Sequence, residues 1–231
     1  NVSLDFTQTA DKNTLLEMIE DADVLIENYK VGGLRKYGLD YDSIRSINPR
    51  IVYCSITGFG QTGPYKERPG YDALIQGMGG LMSITGEADG APQKVGVAVV
   101  DLMTGMYATT AILAALSYRE QTGIGQHIDL ALFDVQAAML ANQASTYLMS
   151  GDVPIRKGSA HPSISPYQPM PLADGYVMMA IGNDRQFNAL CDAAECPELA
   201  QDERFSSNAA RVKHRVELEK ALSPFLTNKN I

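Results

Sequence analysis

Ile51–Ile56, with the sequence Ile-Val-Tyr-Cys-Ser-Ile, is a short apolar run rich in β-branched residues. Such a run predicts a strand that is buried in a sheet. Asp23–Glu27 (Asp-Val-Leu-Ile-Glu) has the same character, and two short helical segments, Leu34–Tyr37 and Tyr41–Ile47, lie between the two runs. Strand, helix and strand in this order predict parallel strands joined by a crossover helix.

The same alternation continues on both sides of this unit. Before it, Val2–Phe6 alternates apolar and polar residues, which predicts a short strand, and Lys12–Ala22 has the apolar spacing of a helix. After it, Leu102–Tyr118 predicts a long helix, His127–Leu132 a strand and Phe133–Met149 a further helix. The sequence therefore predicts an α/β fold with a parallel sheet.

The composition changes after residue 150, where Gly151–Pro171 is rich in Pro, Gly and Ser and is typical of a linker. Beyond it, Asp174-Gly175 separates two apolar runs, which indicates a hairpin. Two helices are predicted after the hairpin, at Asp184–Ala194 and Ala209–Leu226. We therefore predict a large domain at residues 1–150, and at residues 151–231 a linker with part of a small α+β domain.

Composition excludes several classes of protein. The 231 residues are 45% hydrophobic and 20% charged, which excludes general disorder. The formal net charge of −8 argues against broad binding to nucleic acid. We find no apolar run long enough to span a bilayer and no signal segment, so we expect no membrane association. Three Cys residues without a CxxC pair indicate a reducing compartment, and we expect the cytoplasm.

The sequence offers little support for a resident cofactor. Gly58–Gly63 (Gly-Phe-Gly-Gln-Thr-Gly) fits the G-x-G-x-x-G pattern of dinucleotide sites and follows a predicted strand. Pro64 follows at once, however, and we predict no helix inside the motif to receive a pyrophosphate. A plain Gly-rich loop is therefore the favoured interpretation. The three His residues are scattered without ligand spacing, which predicts no metal site.

Asp101 is the strongest candidate for chemistry, because an apolar stretch, Val95–Val100, leads directly into it at the start of the long apolar helix. Two interpretations of this carboxylate are open. As an N-cap, which the residues alone favour, it would accept hydrogen bonds from the free amides of the first turn. As a nucleophile, it would be kept ionised by the same amides with a lowered pKa, and it could attack an activated acyl group without a general base.

Five basic residues cluster in the first half of the chain: Lys30, Arg35, Lys36, Lys66 and Arg68. They follow the ends of two predicted strands, which is where open parallel sheets bind their ligands. In an acidic chain they predict a pocket for a phosphorylated ligand. The alternative is ordinary solvated surface charge, and the residues alone do not decide between the two.

Five stretches occur in a specific order and spacing. They lie at residues 22–29 (Ala-Asp-Val-Leu-Ile-Glu-Asn-Tyr), 58–65 (Gly-Phe-Gly-Gln-Thr-Gly-Pro-Tyr), 69–72 (Pro-Gly-Tyr-Asp), 96–108 (Gly-Val-Ala-Val-Val-Asp-Leu-Met-Thr-Gly-Met-Tyr-Ala) and 182–187 (Gly-Asn-Asp-Arg-Gln-Phe). Together they cover nearly the whole chain. This set resembles the class III (CaiB/BaiF-type) coenzyme A transferases, a family that also contains formyl-CoA transferase and the acyl-CoA racemases.

The resemblance implies a Rossmann-like parallel sheet in a large CoA-binding domain, whose N-terminal part would precede this chain, and a smaller α+β domain. It also implies interlocked homodimers. The implied activity is that of an enzyme in which Asp101 attacks an acyl-CoA, forms a mixed anhydride and then an aspartyl-CoA thioester, and passes CoA to a carboxylic acid. CoA and acyl-CoA would be substrates, with no permanently bound cofactor. The apolar surroundings of Asp101 would exclude water from these intermediates.

The resemblance further implies which residues bind CoA. Asn28 and Tyr29 occupy the Asn-aromatic pair that lines the CoA site after the first matching strand. Lys36 occupies a position where the family usually has Arg, and Arg35 lies beside it, so the choice between these two is open. Arg68 matches a basic position in the loop before Pro-Gly-Tyr-Asp.

Tyr71 occupies the slot in which the racemase branch of the family has His, thirty positions before Asp101. Racemisation needs two acid–base groups on opposite faces of the substrate carbon, and Tyr is a poor base at neutral pH. We therefore favour a transferase, with Tyr71 at the CoA site. The alternatives are an acyl-CoA racemase or epimerase that uses Asp72 as a second group, and a non-catalytic CoA-binding homologue.

Overall fold

Three parallel strands form the sheet of the first of two units in the computed structural model, which describes residues 1–230. They lie side by side in the order β1 (Val24–Glu27), β2 (Val52–Thr57) and β3 (His127–Ala131). The central strand is buried from Val52 to Ser55, as its apolar sequence predicts. The predicted α/β class and the parallel sheet are thus confirmed.

Six helices belong to this unit within the described residues. They are α1 (Thr9–Glu20), α2 (Tyr41–Ile47), α3 (Asp72–Met78), α4 (Val99–Thr122), α5 (Leu132–Met139) and α6 (Ala141–Ser150), with a 3-10 turn at Arg35–Tyr37. The single helix predicted over Phe133–Met149 is wrong, because two helices occupy this stretch. The backbone of Ala141 has a φ of 45°, in the left-handed region, and this interrupts the helical dihedrals between α5 and α6.

The strand predicted at Val2–Phe6 is also wrong, because this segment is irregular and turns into α1. The N–H of Asp5 donates to the carboxylate of Asp11 (2.8 Å), and the N–H of Thr7 donates to Asp5 Oδ1 (3.0 Å). Side-chain acceptors therefore take amides that a strand would offer to a neighbouring strand. Alternating polarity in the sequence does not show that side-chain acceptors compete with a neighbouring strand for these N–H groups.

An apolar cluster joins α1, α2 and β2. Tyr53 is buried within it, and its hydroxyl donates to the carbonyl of Leu39 at 2.8 Å. The buried amide of Asn48 donates to the carbonyls of Ile19 (3.0 Å) and Ala22 (2.9 Å), which fixes the end of α2 against the end of α1. The buried apolar members of the cluster are Ile19, Leu34, Leu39, Ile44, Ile51 and Tyr53.

A second apolar cluster places the start of α4 at the carboxyl edge of the sheet. Its buried members are Ile75 of α3, Val100 of α4 and Leu132 of α5. Ile56, near the end of β2, and Phe59, just beyond it, pack against them. Open parallel sheets bind ligands at this edge. The fold therefore brings the first turn of α4 to the place where a ligand is expected.

The helix α4 is long and apolar. It has 24 residues, and an 18-residue window within it has a mean hydropathy of 1.6, so by length and composition alone it could cross a bilayer. Our expectation that the chain has no such run is wrong by this measure. The core helices of soluble proteins pass the same test, and the finding therefore decides little. Leu102, Met106 and Leu113 of this helix are exposed in the single chain.

The second unit comprises residues 85–92 and the chain from residue 155 onward. Two antiparallel strands, β4 (Tyr167–Pro171) and β5 (Tyr176–Ala180), form the hairpin predicted around Asp174-Gly175. The N–H of Leu172 donates to the carbonyl of Gly175 (2.8 Å) and closes the turn. The other elements of the described part of this unit are α7 (Asp184–Ala193), a 3-10 turn (Pro197–Gln201), α8 (Asn208–Lys213) and α9 (Arg215–Leu226).

Arg211 connects several segments of the second unit from its interior. Its side chain is fully buried, and its guanidinium lies 4.5 Å from the ring centroid of Phe187. Nε and Nη1 donate to the carbonyls of Ser165 (2.8 Å) and Phe205 (2.9 Å), and Nη2 donates to the carboxylate of Asp184 (2.8 Å). One buried cation is thus stabilised by hydrogen bonds from α8 to α7 and to two loops.

We predict that Arg211→Met lowers the free energy of unfolding by about 2–4 kcal/mol, because it leaves two buried carbonyls without their donors. Urea unfolding followed by circular dichroism would measure the loss. The matched control is Arg185→Met, which removes an exposed arginine of α7 and should change this free energy by less than about 0.5 kcal/mol. Equal losses in the two variants would contradict the role given to Arg211.

Candidate active site

Asp101 is the third residue of α4 and lies in its first turn, as the sequence predicts. Its neighbours Val99 and Val100 belong to the apolar cluster at the carboxyl edge of the sheet. Asp101 itself is exposed, so a ligand at this edge can reach it. The sheltered setting that the resemblance implies is therefore wrong for the single chain.

The carboxylate that caps α4 belongs to Asp72 and not to Asp101. The N–H of Val100 donates to Asp72 Oδ2 at 2.8 Å, and the N–H of Asp101 approaches the same oxygen at 3.4 Å. Asp72 is the first residue of α3, so its side chain connects two helix N-termini. The interpretation of Asp101 as the cap is wrong, because another residue accepts from these amides. Within residues 1–230, the carboxylate of Asp101 accepts no hydrogen bond.

The pKa of Asp101 is raised above its usual value. Partial burial of the carboxylate against its neighbours is the larger cause, although the residue as a whole is exposed, and the negative charge of Asp72 adds to it. The lowered pKa expected at a helix N-terminus is therefore wrong, since the amides that would lower it bind Asp72 instead. The site thus holds the carboxylate of Asp72, which accepts hydrogen bonds, and beside it the carboxylate of Asp101, whose pKa is raised.

Gln76 fixes the carboxylate of Asp72 from the interior of the protein. Gln76 is fully buried in α3, and its Nε2 donates to Asp72 Oδ1 at 2.6 Å. Its Oε1 accepts from the N–H of Val95 at 2.9 Å, which holds the segment that leads into α4. Sequence reasoning missed Gln76. The spacing of four between Asp72 and Gln76 is the one local signal, and it gives no indication of the contact with Val95.

Two further predicted residues lie in the loop that leads into α3. Tyr71 directly precedes Asp72, and 73% of its surface is exposed and open to a ligand. The guanidinium of Arg68 lies 4.2 Å from the ring centroid of Tyr65. Tyr65 contacts Phe59 edge to face, with 5.5 Å between ring centroids, and Phe59 packs against the start of α4. This chain of contacts connects Arg68 to the first turn of α4.

A polar cleft of about 390 Å³ brings three of the predicted basic residues together, namely Lys30, Arg35 and Lys66. The guanidinium of Arg35 also lies 3.8 Å from Asp40 and 3.9 Å from Asp42. Both ion pairs are long, and Arg35 is exposed in each, so they contribute little stability. An anionic ligand could therefore compete with them for Arg35.

The remaining predicted CoA ligands lie outside this polar cleft. Lys36 places its Nζ 4.7 Å from the ring centroid of Tyr37. Asn28 is exposed just after β1. Tyr29 lines a second, more apolar cleft of about 530 Å³ together with Phe6, whose ring it meets edge to face at 5.8 Å. Phe6 belongs to the segment that we predicted as a strand, and sequence reasoning missed its place in this cleft.

The Gly-rich segment Gly58–Gly63 is a loop, as predicted, and the helix that follows it is α3. A side chain at Gly58 would overlap the Cα of Gly70, where the loop returns, so only glycine permits this close approach. The N–H of Gln61 donates to both carboxylate oxygens of Asp129 in β3, at 3.1 and 3.0 Å. These contacts fix the loop at the carboxyl end of the sheet.

No metal site emerges from the residues that the structure describes. Residues 1–230 contain no group of three or more His, Cys, Asp or Glu side chains that could hold a metal ion. His127 shares a hydrogen bond with Ser55 Oγ at 2.9 Å, and its ring stacks on Tyr41. Burial lowers the pKa of His127. This histidine is therefore part of the packing around the polar cleft.

Comparison with known proteins decides the family. The model of the family described as CoA-transferase family III matches residues 1–231. The chain belongs to CoA-transferase family III. This finding confirms the resemblance read from the five sequence stretches.

Named members of CoA-transferase family III are similar to this chain. The succinate–glutarate CoA-transferase of Agrobacterium fabrum is 57% identical over 206 residues, which are 89% of this chain and 52% of that protein. The human succinyl-CoA:glutarate CoA-transferase is 45% identical over 207 residues, which are 90% of this chain and 47% of that protein. The crystal structure of a CAIB/BAIF family protein from Brucella suis is 52% identical, with a TM-score of 0.82 over 99% of this chain and 61% of that one. The chain thus spans about half the length of these curated relatives.

We predict that Asp101→Asn stabilises the chain at neutral pH, because the raised pKa of Asp101 means that the folded state disfavours its charge. The gain should stay below about 1 kcal/mol, since solvent screens an exposed carboxylate. Folded wild-type protein binds this proton more readily than unfolded protein does. The gain should therefore shrink as the pH falls through the folded pKa of Asp101.

Thermal unfolding of both proteins across the acid and neutral range would check this prediction. The control is Asp134→Asn, which removes an exposed carboxylate from the first turn of α5. This change should be neutral or slightly destabilising, because a helix N-terminus favours negative charge. A loss of stability in Asp101→Asn at neutral pH would contradict the prediction.

Proposed function

We propose that the complete protein is a CoA-transferase that moves CoA from an acyl-CoA to a free carboxylic acid, with Asp101 as the nucleophile. Family membership and the names of the relatives support CoA transfer between acids. The observation that carries the proposal is an exposed carboxylate in the first turn of α4, at the edge of the sheet where ligands bind. The amide of the first turn that could bind the carboxylate of Asp101 donates to Asp72 instead. The carboxylate of Asp101 is therefore free to react.

The proposed reaction balances without an external base. A carboxylate oxygen of Asp101 attacks the thioester carbonyl, the C–S bond breaks, and CoA leaves as a thiolate. The thiolate attacks the Asp101 carbonyl of the mixed anhydride, which expels the donor acid and leaves an aspartyl-CoA thioester. The acceptor carboxylate takes the CoA through the reverse of these two steps, so that Asp101 is restored and no net proton or electron is consumed.

The surroundings of Asp101 suit a nucleophile. Hydrogen bonds to a carboxylate stabilise its charge and so reduce its tendency to attack a carbonyl. The amides of the first turn of α4 direct this stabilisation to Asp72. The raised pKa of Asp101 means a more basic oxygen, and a more basic carboxylate forms the bond to an acyl carbon more readily.

We assign the phosphate groups of the acyl-CoA to the polar cleft. Three basic side chains line it beside four acidic ones, and Arg35 presents a planar fork of donors that matches phosphate geometry. This location favours Arg35 over Lys36, which lies over an aromatic ring. The full set of residues that we propose at the CoA site is Asn28, Tyr29, Lys30, Arg35, Lys36, Lys66, Arg68 and Tyr71.

We further propose that short dicarboxylic acids are the acids that exchange CoA. The similar proteins from Agrobacterium fabrum and human are both named for succinate or succinyl-CoA and glutarate. A carboxylate at the far end of such an acid needs a basic or polar partner.

The whole protein is proposed to be an interlocked homodimer in the cytoplasm. Its large CoA-binding domain would include residues 1–84 and 93–154, and its small α+β domain would include residues 85–92 and those from 155 onward. Uncovered apolar side chains support the dimer, because monomers rarely expose large apolar patches. The most exposed of those on α4 and α6 are Leu102, Met106, Leu113, Leu148 and Met149.

We predict that hydroxylamine and an acyl-CoA together convert Asp101 of the complete protein to its hydroxamate, because hydroxylamine captures anhydrides and thioesters. Borohydride should likewise reduce the aspartyl-CoA thioester. Peptide mass spectrometry would locate the modification. Asp101→Asn should show none, should stay folded, and should lose CoA transfer by about a thousandfold or more.

Two other outcomes would contradict this function. Exchange of the substrate α-hydrogen with deuterated water, without CoA transfer, would indicate a racemase or epimerase. Binding of CoA with neither modification nor exchange would indicate a non-catalytic homologue. Omission of acyl-CoA provides the control for non-specific labelling of carboxylates.

We predict that Arg35→Met raises KM for the acyl-CoA by about tenfold with little change in kcat, because it removes a phosphate contact. Lys36→Met should raise KM by less than about threefold. Both variants should act like wild type on an acyl-pantetheine, which lacks the nucleotide phosphates. A larger effect of Lys36→Met, or an equal loss with acyl-pantetheine, would contradict the assignment of Arg35.

A further inference from the structure

We propose that Asp72 is a positioning residue, whose carboxylate holds the first turn of α4 so that Asp101 meets the acyl-CoA uncapped and correctly placed. The inference rests on the proposed function, because it concerns the nucleophile of that reaction. In this proposal Asp72 affects the reaction only by positioning Asp101, and it does not contact the substrate.

The hydrogen-bond partners of the amides at the start of α4 support this role. The N–H of Val99 donates to the carbonyl of Val97 (2.9 Å), and the N–H of Leu102 donates to the carbonyl of Ala98 (3.1 Å). The two amides between them, those of Val100 and Asp101, turn to Asp72 Oδ2. Every N–H of the first turn is thus paired without the carboxylate of Asp101.

The carboxylate of Asp72 is held from two sides. Oδ2 accepts from the first turn of α4, and Oδ1 accepts from Gln76 Nε2 at 2.6 Å. Gln76 is fully buried and is itself fixed by the N–H of Val95. A proton shuttle needs a carboxyl oxygen that is free to bind and release a proton, and both oxygens here are engaged. This geometry favours a positioning role over the acid–base role that a racemase would give to Asp72.

The location of Asp72 also affects the reactivity of Asp101. Asp72 begins α3 and accepts from the first turn of α4, which places the negative charge of its carboxylate near Asp101. That charge lies close enough to raise the pKa of Asp101. Removal of the Asp72 charge should therefore make Asp101 a weaker base, as well as releasing the turn that carries it.

The experiment compares Asp72→Ala and Asp72→Asn with wild type in the complete protein. The readout is the single-turnover rate at which an acyl-CoA, in the presence of hydroxylamine, modifies Asp101. Asp72→Ala removes both the acceptor and the charge, and we expect this rate to fall by about ten- to a hundredfold. Asp72→Asn keeps an acceptor oxygen, so its rate should fall less. KM for the acyl-CoA should change by less than about twofold in both variants.

The pH dependence of this rate separates a positioning role from a merely structural one. Asp101 must be ionised to attack, so the rate falls on the acid side as Asp101 takes up a proton. Loss of the Asp72 charge lowers the pKa of Asp101, and the acid limb should therefore move to lower pH in both variants. A change in Asp72 that only loosened the fold would lower the rate without moving the limb.

Matched controls make the result decisive. Asp134→Asn removes an exposed carboxylate from the first turn of α5 and should leave both the rate and the acid limb unchanged. Hydrogen exchange should show faster exchange of the amides of Val100 and Asp101 in Asp72→Ala. If Asp72→Ala does not fold, the shift of the acid limb in Asp72→Asn decides the question.

Failure of this inference differs from failure of the proposed function. Modification of Asp101 in wild type, with an unchanged rate and acid limb in both Asp72 variants, overturns the role of Asp72 alone. Absence of modification in wild type overturns the proposed function and the role of Asp72 with it. A lower rate together with a shifted acid limb, in variants that bind acyl-CoA normally, supports the proposal.

Discussion

The N–H of Val100 donates a hydrogen bond of 2.8 Å to the carboxylate of Asp72, and the chemistry available to Asp101 depends on it. A helix begins with amides that need acceptors, and a carboxylate in the first turn is the nearest one available. If α3 did not supply Asp72, Asp101 would serve as that acceptor. A side chain on α3 therefore determines whether the carboxylate of Asp101 is a cap or stays free for the nucleophilic role that we propose. The apolar cluster around Ile75 fixes the distance between these two helices.

This arrangement is unfavourable by local rules, because two carboxylates lie side by side and the pKa of one is raised. The two buried arginines of the described residues are each paired with a carboxylate. Arg119, which is largely buried, donates to Asp23 at 2.8 Å, and Arg211 is paired with Asp184 at the same distance. A chain that places a carboxylate against each of these two arginines, yet leaves Asp101 beside another carboxylate, resembles other proteins that depart from local rules at functional sites.

The fold was largely predictable, because β1 and β2 are short apolar runs and β3 alternates polar and apolar residues, and both signals are local. The predicted helices and strands were wrong where a contact with a distant residue, or an unusual backbone conformation, outweighed the local pattern. Asp11 takes an amide from the segment predicted as the first strand, and Ala141, a residue that favours helices, interrupts one. The position of Asp101 was equally predictable from the apolar stretch before it. The sequence could not predict that Asp101 does not cap α4. The capping residue, Asp72, lies far away in the sequence, and only packing brings it to α4.

The position of the nucleophile and the exclusion of water are separate properties of the proposed site. An anhydride on Asp101 would hydrolyse if water reached it, yet Asp101 is exposed in the single chain. Gly105 lies one turn further along the same face of α4, and a Cβ there would meet nothing within 4 Å. Exposed Leu102 and Met106 lie beside it. The proposed reaction requires that this open, apolar surface next to the carboxylate be covered, and we assign that role to the proposed second protomer.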